Sequence, residues 1–161
     1  MNPQKNIIDH AEQLCKQRGS RLTKKRKQVL SGLLQSDRAL SAYELVDYCK
    51  ENFEEALPAM TVYRILEFLE NESLVHKLHL ANRYVACRHI TCAHEHEVQQ
   101  FLICTNCQRV KEISINKNTL ASLQENIEAA GYKLVSPQLE MNCLCESCIT
   151  AEENIQHPCK S

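Results

Sequence analysis

The sequence predicts an α+β fold, in which an N-terminal winged helix-turn-helix is followed by a small α/β domain that carries a four-cysteine zinc site. Three observations lead to this prediction. Apolar residues recur at helical spacing up to residue 71, and the period then changes to two over residues 74–86. Two Cys-x-x-Cys motifs follow, at Cys104–Cys107 and Cys145–Cys148.

The length and composition suit a small protein made of one or two domains. With 161 residues, 43% of them hydrophobic, the chain can bury one ordinary core or two small ones. No apolar run approaches the ~18 residues of a membrane-spanning helix, and the first ten residues lack the apolar block of a signal peptide. We therefore expect a cytoplasmic protein without a membrane partner.

Four helices are predicted in the N-terminal half, and each has a boundary residue. Gly19 ends the first helix, Thr23 caps the second, Ser41 and Glu44 match a capping box before the third, and Pro58 opens the fourth. The residues expected to face the core of this half are Ile7, Ile8, Ala11, Leu14, Cys15, Val29, Leu30, Leu33, Leu34, Leu45, Val46, Cys49, Phe53, Val62, Ile65, Leu66 and Leu69.

A hairpin is predicted after the fourth helix. Leu74, His76, Leu78 and Leu80 alternate along one strand, and residues 83–86 pair back after a turn at 81–82. Helices followed by such a wing form a winged helix-turn-helix, in which the fourth helix enters the major groove of DNA. Its predicted outward residues are Met60, Thr61, Tyr63 and Arg64.

The charge distribution supports a nucleic-acid partner for the N-terminal half. The net charge is −1, but residues 1–85 carry 13 basic against 11 acidic residues, whereas residues 86–161 carry 6 against 9. Seven basic and no acidic residues lie between 16 and 36. We expect Arg64 to contact a base, and Lys24, Arg26 and Tyr43 to contact the DNA backbone.

The C-terminal half is predicted to be a small domain of mixed structure. Strands are expected at 101–104 and 110–115, a helix at 118–130 closed by Gly131, and a third strand at 132–141 despite Pro137. The polar, histidine-rich segment 88–100 is interpreted as a linker that also carries ligands.

The two Cys-x-x-Cys motifs indicate a structural zinc site. Cys104, Cys107, Cys145 and Cys148 supply the four thiolates of a closed tetrahedral shell. A thioredoxin-like redox pair is the competing interpretation, but neither motif lies at the strand-to-helix junction that it needs. Cys143 leaves the choice of sulfur open, because it lies two residues before Cys145.

A second group of candidate ligands surrounds the linker, and spacing alone does not select four of them. The group consists of His76, His79, Cys87, His89, Cys92, His94, His96 and Glu112.

The combined pattern resembles the ferric uptake regulator superfamily over roughly residues 10–150. The residues that carry the resemblance are Arg-Leu-Thr-Lys-Lys-Arg at 21–26, Ser-Ala-Tyr-Glu-Leu at 41–45, Thr-Val-Tyr-Arg-Ile-Leu at 61–66, Leu-Val-His-Lys at 74–77, His-Glu-His at 94–96, and the two cysteine motifs. Tyr-Val-Ala-Cys at 84–87 is similar to the zinc uptake regulator branch, because a thiolate ligand favours zinc.

The resemblance implies a regulatory zinc site and a homodimer in addition to the structural site. The regulatory ligands would be His76, Cys87, His96 and Glu112, which gives two Zn2+ per protomer. His94 or His89 could replace His96. Residues that could form a third site are Cys92, Cys143, His157 and Cys159.

The sequence therefore predicts a homodimeric, zinc-responsive transcriptional repressor that binds a double-stranded DNA operator and controls zinc uptake and homeostasis genes. The DNA-binding domain is expected at 1–86, the ligand-bearing hinge at 87–100 and the dimerisation domain at 101–161. The alternative is an iron, manganese or peroxide sensor of the same superfamily. An enzyme is not expected, because neither His-Glu-x-x-His nor a deaminase motif is present. A zinc-stabilised module without DNA contact is disfavoured by Tyr63 and Arg64.

Overall fold

The computed structural model describes residues 2–92, 98–135 and 138–156, and of residues 153–156 the main chain only. The chain divides into two compact units, residues 1–94 and residues 95–161. The elements of the first unit are α1 (Pro3–Gln17), α2 (Lys24–Gln35), α3 (Ala42–Phe53), α4 (Ala59–Asn71), β1 (Val75–Leu78) and β2 (Arg83–Ala86). The elements of the second unit are β3 (Gln99–Cys104), β4 (Val110–Ser114), α5 (Lys117–Ala129), β5 (Gln138–Cys143) and α6 (Glu146–Gln156).

The helix boundaries predicted for the first unit are confirmed by their caps. The Thr23 hydroxyl oxygen accepts a hydrogen bond from the Arg26 amide at 3.4 Å, at the start of α2. At the start of α3, the Glu44 amide donates to Ser41 Oγ (3.2 Å) and the Ser41 amide donates to Glu44 Oε2 (3.0 Å), which is a complete capping box. Gly19, with φ of +79°, follows α1 in the left-handed conformation.

The core of the first unit lies between α2, α3 and α4. Its fully buried side chains include Leu30, Leu45, Leu66 and Leu69. Helices α2 and α3 approach closely at Gly32, where an added Cβ would lie 2.8 Å from the ring of Tyr48. Both helices pack against α4.

The wing is an antiparallel hairpin that is attached to the helices by hydrogen bonds. His76 lies opposite Val85 in the register of β1 and β2. Leu40 and Tyr84 form a β-bridge with N···O distances of 3.0 and 2.8 Å, and Arg83 Nη1 lies 2.8 Å from the Glu44 carboxylate. These bonds complete the winged helix-turn-helix that the sequence predicted.

The predicted end of the first wing strand was wrong. β1 ends at Leu78, and residues 79–82 form the turn, in which Leu80 is 57% exposed. Asn82 takes a φ of +49°, which a short polar side chain tolerates well. The alternation of apolar residues therefore continued past the strand into a turn.

The chain stays attached to the first unit after β2. The Cys87 amide donates to the Leu74 carbonyl at 2.9 Å, and Ile90 is buried in the core of this unit. Ile90 was not among the expected core residues, because it lies in a segment whose neighbours are polar.

The second unit contains a three-stranded sheet in the order β4-β3-β5. β3 is antiparallel to β4 and parallel to β5. The strand expected at 132–141 begins at Gln138 instead, and residues 132–135 have no regular structure. Proline has no N–H to donate to a neighbouring strand, which explains why a strand begins after Pro137. Residues 136 and 137 lie outside the described residues.

Helix α5 buries little of its surface within the second unit. α5 has no buried residue, and Leu123 on it is partly exposed. α6 had not been predicted from the sequence. Among the described residues, no helix is long and apolar enough to cross a membrane.

Candidate functional site

The four cysteines of the two Cys-x-x-Cys motifs lie together in the second unit. Cys104 ends β3, Cys107 lies in the turn before β4, and Cys145 and Cys148 lie at the start of α6. Their sulfur atoms are all within 4.8 Å of one another, and the sulfurs of Cys107 and Cys145 are 3.6 Å apart. The two motifs meet because β3 and β5 are parallel and end at the same edge of the sheet.

This spacing fits a tetrahedral zinc ion. Zn–S bonds of ~2.3 Å place neighbouring sulfurs about 3.8 Å apart, close to the separation of Cys107 and Cys145. The four residues present can therefore hold zinc in a closed shell, which leaves no coordination position for a substrate.

The main chain around the cluster favours a thiolate at Cys104. Hydrogen bonds from the backbone amides of Cys107 and Cys145 lower the pKa of the Cys104 thiol to about 6. The Cys145 amide lies 3.4 Å from this sulfur. The thiol of Cys148 behaves in the opposite way, because its hydrogen bond to the Cys145 side chain raises its pKa to about 12. A negative charge is thus already favoured at one corner of the cluster.

In the first unit, His76 and Cys87 lie next to each other. His76 is a half-buried residue of β1, and Cys87 follows β2 and is buried. A ring nitrogen of His76 and the sulfur of Cys87 are within 4.8 Å. An imidazole and a thiol at this distance can bind the same metal ion.

The other expected ligands are distributed over both units. Glu112 is a half-buried residue of β4, where it lies opposite Phe101. His89 and Cys92 share a turn, in which the Cys92 amide donates to the His89 carbonyl at 3.1 Å. His94, His96, His157 and Cys159 lie outside the described residues.

The exposed face of α4 carries the residues predicted to contact DNA. Tyr63 and Arg64 are exposed, whereas Val62 and Ile65 on either side of them are buried. Tyr43 of α3 is 65% exposed and packs edge-on against Tyr63, with ring centroids 6.5 Å apart. The two tyrosines and Arg64 therefore form one exposed surface across α3 and α4.

The basic segment at 16–27 is only partly available for an external partner. Lys27 pairs with Glu12 at 2.8 Å, Lys25 with Glu55 at 3.8 Å and Arg18 with Glu72 at 3.6 Å. The guanidinium of Arg26 lies 3.5 Å above the ring of Phe68. The other exposed basic residues of the segment are Lys16, Arg21 and Lys24.

The family model of the ferric uptake regulator family matches residues 17–142 of this chain. The chain belongs to the ferric uptake regulator family. The matched range includes α4, the wing and the first Cys-x-x-Cys motif, and it ends before Cys145 and Cys148. The association of the second motif with the first therefore rests on the geometry of the cluster.

Relatives within the ferric uptake regulator family are similar to this chain over nearly its whole length. The zinc uptake regulation protein of Escherichia coli (strain K12) is 36% identical over 157 residues, covering 94% of this chain and 86% of the relative. The ferric uptake regulation protein of Helicobacter pylori (strain ATCC 700392 / 26695) is 26% identical over 147 residues, covering 91% and 94%. A solved structure of a zinc uptake regulator complexed with zinc and DNA has a TM-score of 0.81 and 30% identity, covering 95% of this chain and 99% of that chain.

The helix that carries part of the cysteine cluster in this family member was not predicted from the sequence. Helix α6 begins inside the second motif, and the Ile149 amide donates to the Cys145 carbonyl at 3.0 Å. Glu146 in the first turn was a weak signal for this helix start, because an acidic residue is stabilising at that position.

Proposed function

We propose that this chain is a zinc-responsive, DNA-binding transcriptional repressor that controls zinc uptake and homeostasis genes. The observation that carries the proposal is the similarity of nearly the whole chain to a zinc uptake regulation protein and to a zinc uptake regulator complexed with zinc and DNA. The exposed surface formed by Tyr43, Tyr63 and Arg64 supports the DNA-binding part of the proposal.

Zinc is favoured over iron or manganese for two reasons. The chain is 36% identical to the zinc uptake regulation protein and 26% identical to the ferric uptake regulation protein. In addition, His76 has a cysteine beside it, and thiolate ligands select zinc over the harder ions Fe2+ and Mn2+. A sister sensor for iron, manganese or peroxide is the less supported alternative.

We assign two zinc ions to each protomer. Cys104, Cys107, Cys145 and Cys148 hold the first, which stabilises the second unit by joining two parts of the chain about 40 residues apart. His76, Cys87, His96 and Glu112 hold the second. That set rests on the resemblance of their sequence positions to the family, with His89 and His94 as substitutes for His96.

In this proposal the second zinc is regulatory, because its ligands come from the DNA-binding domain, the hinge at 87–100 and the dimerisation domain. Shared coordination restrains the DNA-binding domain at 1–86 relative to the dimerisation domain at 101–161. In a homodimer, this restraint favours a separation of the two α4 helices that matches the ~34–36 Å between successive major grooves. When the second zinc is lost, other separations of the two helices become populated and the DNA affinity falls.

Within each half-site, α4 contacts the bases, and residues next to α4 contact the DNA backbone. Arg64 contacts a base, and Tyr63 lies beside it on the same exposed surface. Lys24 and Tyr43 contact phosphates, since Lys24 lies in the first turn of α2, where both the charge and the helix dipole favour an anion. Arg26 was expected to do the same, but its guanidinium lies over the ring of Phe68.

Homodimerisation through the second unit is supported by its exposed apolar residues. α5 buries none of its residues within the unit, and the unit exposes several large apolar side chains. They are Leu123, Tyr132, Val135, Met141 and Ile149. An apolar surface of this kind is typical of an interface between identical subunits.

A DNA-binding titration over buffered metal concentrations tests the proposed function. The duplex is selected from a random-sequence library with the zinc-loaded protein, and a scrambled duplex of equal composition is the control. We expect affinity for the selected duplex to rise with free zinc at concentrations where free Fe2+ and Mn2+ have no effect. A response to iron or manganese at lower free concentration than zinc would establish the sister sensor, and no duplex selected at any metal concentration would exclude a DNA-binding repressor.

A further inference from the structure

Arg26 is a residue of the basic segment whose contacts differ from those of a phosphate ligand. It lies in the first turn of α2, two residues after Lys24. Lys24 is exposed, whereas Arg26 is half-buried. Its guanidinium carbon lies 3.5 Å above the centroid of the Phe68 ring, and its Nη1 donates to the Arg21 carbonyl at 2.6 Å.

Phe68 connects the Arg26 contact to the exposed face of α4 that carries Arg64. It is half-buried and packs against the core of the first unit. It also follows Arg64 by four residues, which places the two side chains as neighbours one helical turn apart. A side chain that packs on Phe68 therefore restrains the helical turn of α4 that follows Arg64.

A second guanidinium holds the end of the same helix. Arg18, the residue that caps α1, donates through Nη1 to the carbonyl of Glu72, the residue that caps α4. The same Nη1 lies 3.6 Å from the Glu72 carboxylate. A cation at a helix C-terminus is favoured by the unsatisfied carbonyls and by the dipole. Two arginines of the basic segment thus face α4.

We propose that Arg26 is a positioning residue for DNA recognition: it fixes α4 against the start of α2 through Phe68, and leaves the phosphate contact of this face to Lys24. The proposal rests on the proposed function. A planar guanidinium suits this role, because it stacks on an aromatic ring while its edge donates a hydrogen bond. Lysine keeps the charge but lacks the planar guanidinium, so it cannot stack flat on the ring while its edge donates a hydrogen bond. Arg26→Lys therefore distinguishes a positioning role, which needs the plane, from a phosphate contact, which needs only the charge.

The test measures binding of the full-length, zinc-loaded protein to the selected and the scrambled duplex over a salt series. If Arg26 positions α4, Arg26→Lys lowers affinity for the selected duplex about two- to fivefold and leaves the scrambled duplex and the salt slope unchanged. The matched control Lys24→Ala lowers affinity for both duplexes alike and flattens the salt slope by about one. Wild-type behaviour of Arg26→Lys, or an equal loss on both duplexes, would overturn the proposal.

A double-mutant cycle with Phe68→Leu checks that Arg26 acts through this ring. Phe68→Leu removes the stacking face but keeps an apolar side chain, so it should reproduce the selective loss. The double variant Arg26→Lys/Phe68→Leu should be no weaker than the weaker single variant. Losses that multiply would mean that Arg26 acts independently of Phe68 and would overturn the proposal.

Amide exchange without DNA distinguishes failure of this inference from failure of the proposed function. The amides of residues 66–71 in α4 should exchange faster in Arg26→Lys than in the wild type, while those of α1 exchange as before. Unchanged exchange in α4 would overturn the positioning role even if the protein binds DNA. Conversely, a wild type that binds no duplex would contradict the proposed function, while faster exchange in the variant would still establish the contact between α2 and α4.

Discussion

Cys104 and Cys143 are register partners on the parallel strands β3 and β5, but only the sulfur of Cys104 lies in the four-cysteine cluster. Cys143 contributes through its main chain, since its carbonyl accepts a hydrogen bond from the Thr105 amide at 3.0 Å. It thereby fixes the end of β5 beside the turn that carries Cys107. In the structure the sulfur of Cys145, and not that of Cys143, lies in the cluster, a choice that spacing alone left open.

This difference predicts different outcomes for two chemically identical substitutions. Cys104→Ser should release the structural zinc and dissociate the dimer, because a four-thiolate shell contributes on the order of 10 kcal/mol of folding free energy. Cys143→Ser should retain both. The zinc content after gel filtration measures the bound zinc, and sedimentation velocity measures the dimeric state. A stable, zinc-containing dimer of Cys104→Ser, or loss of zinc in Cys143→Ser, would show that the wrong sulfur has been assigned.

Gly32→Ala should destabilise the first unit although alanine is the better helix former. The added Cβ would lie 2.8 Å from Tyr48 Cδ1 and 3.1 Å from Leu45 Cδ2, inside a packed core. The expected loss is about 1–3 kcal/mol in the free energy of unfolding, measured by urea denaturation. Ser31→Ala on the same helix is the control and removes only the 3.1 Å hydrogen bond to the Tyr48 hydroxyl. An increase in stability of Gly32→Ala would mean that α2 and α3 are farther apart than described.

Arg64→Ala should reduce the sequence specificity of DNA binding. Its exposed position on α4 predicts a loss of ~1–3 kcal/mol on the selected duplex and a relaxed preference at one base pair of each half-site. Binding to a panel of duplexes with single base-pair changes measures both effects. A loss that is equal for every duplex would place Arg64 on the backbone instead.

Three of the four cysteines of the first unit, Cys15, Cys49 and Cys92, should differ widely in their rates of alkylation. Cys15 and Cys49 are fully buried, and this burial raises the pKa of both thiols, so less thiolate is present at any given pH. Cys92 is exposed. In the native protein at about pH 8, iodoacetamide should label Cys92 first, as followed by peptide mass spectrometry. In urea all three should react alike, and rapid native labelling of Cys15 or Cys49 would contradict the described core.

The local signals of the sequence predicted the first unit well. The capping box of Ser41 and Glu44, the Thr23 cap and Gly19 each depend on a few neighbouring residues, so their identity is enough to place a helix end. The alternation of Leu74, His76 and Leu78 also placed the wing, but it could not show that the strand ends before Leu80.

Contacts between distant residues could not be predicted in the same way. The charges of residues 16–27 suggested one surface for DNA, yet three of these basic side chains pair with Glu12, Glu55 and Glu72. The stacking of Arg26 on Phe68 joins residues 42 positions apart and leaves no mark in either local sequence. Likewise, α5 has the apolar periodicity of a core helix, but none of its residues is buried within its unit.

In the proposed mechanism, Cys87 is a ligand through which zinc controls DNA affinity. Cys87→Ala removes the thiol beside His76 without touching the four-cysteine cluster. The variant should remain a folded dimer with one zinc ion per protomer. His76→Ala, which removes the neighbouring imidazole, should behave in the same way.

The most direct test is the affinity of wild type and Cys87→Ala for the selected duplex, measured side by side over a series of buffered free zinc concentrations. The wild-type affinity should rise with zinc, whereas the Cys87→Ala affinity should stay at the low value of the zinc-poor wild type throughout. An affinity of Cys87→Ala that rises with zinc as the wild type does would contradict the role of Cys87 as a regulatory ligand.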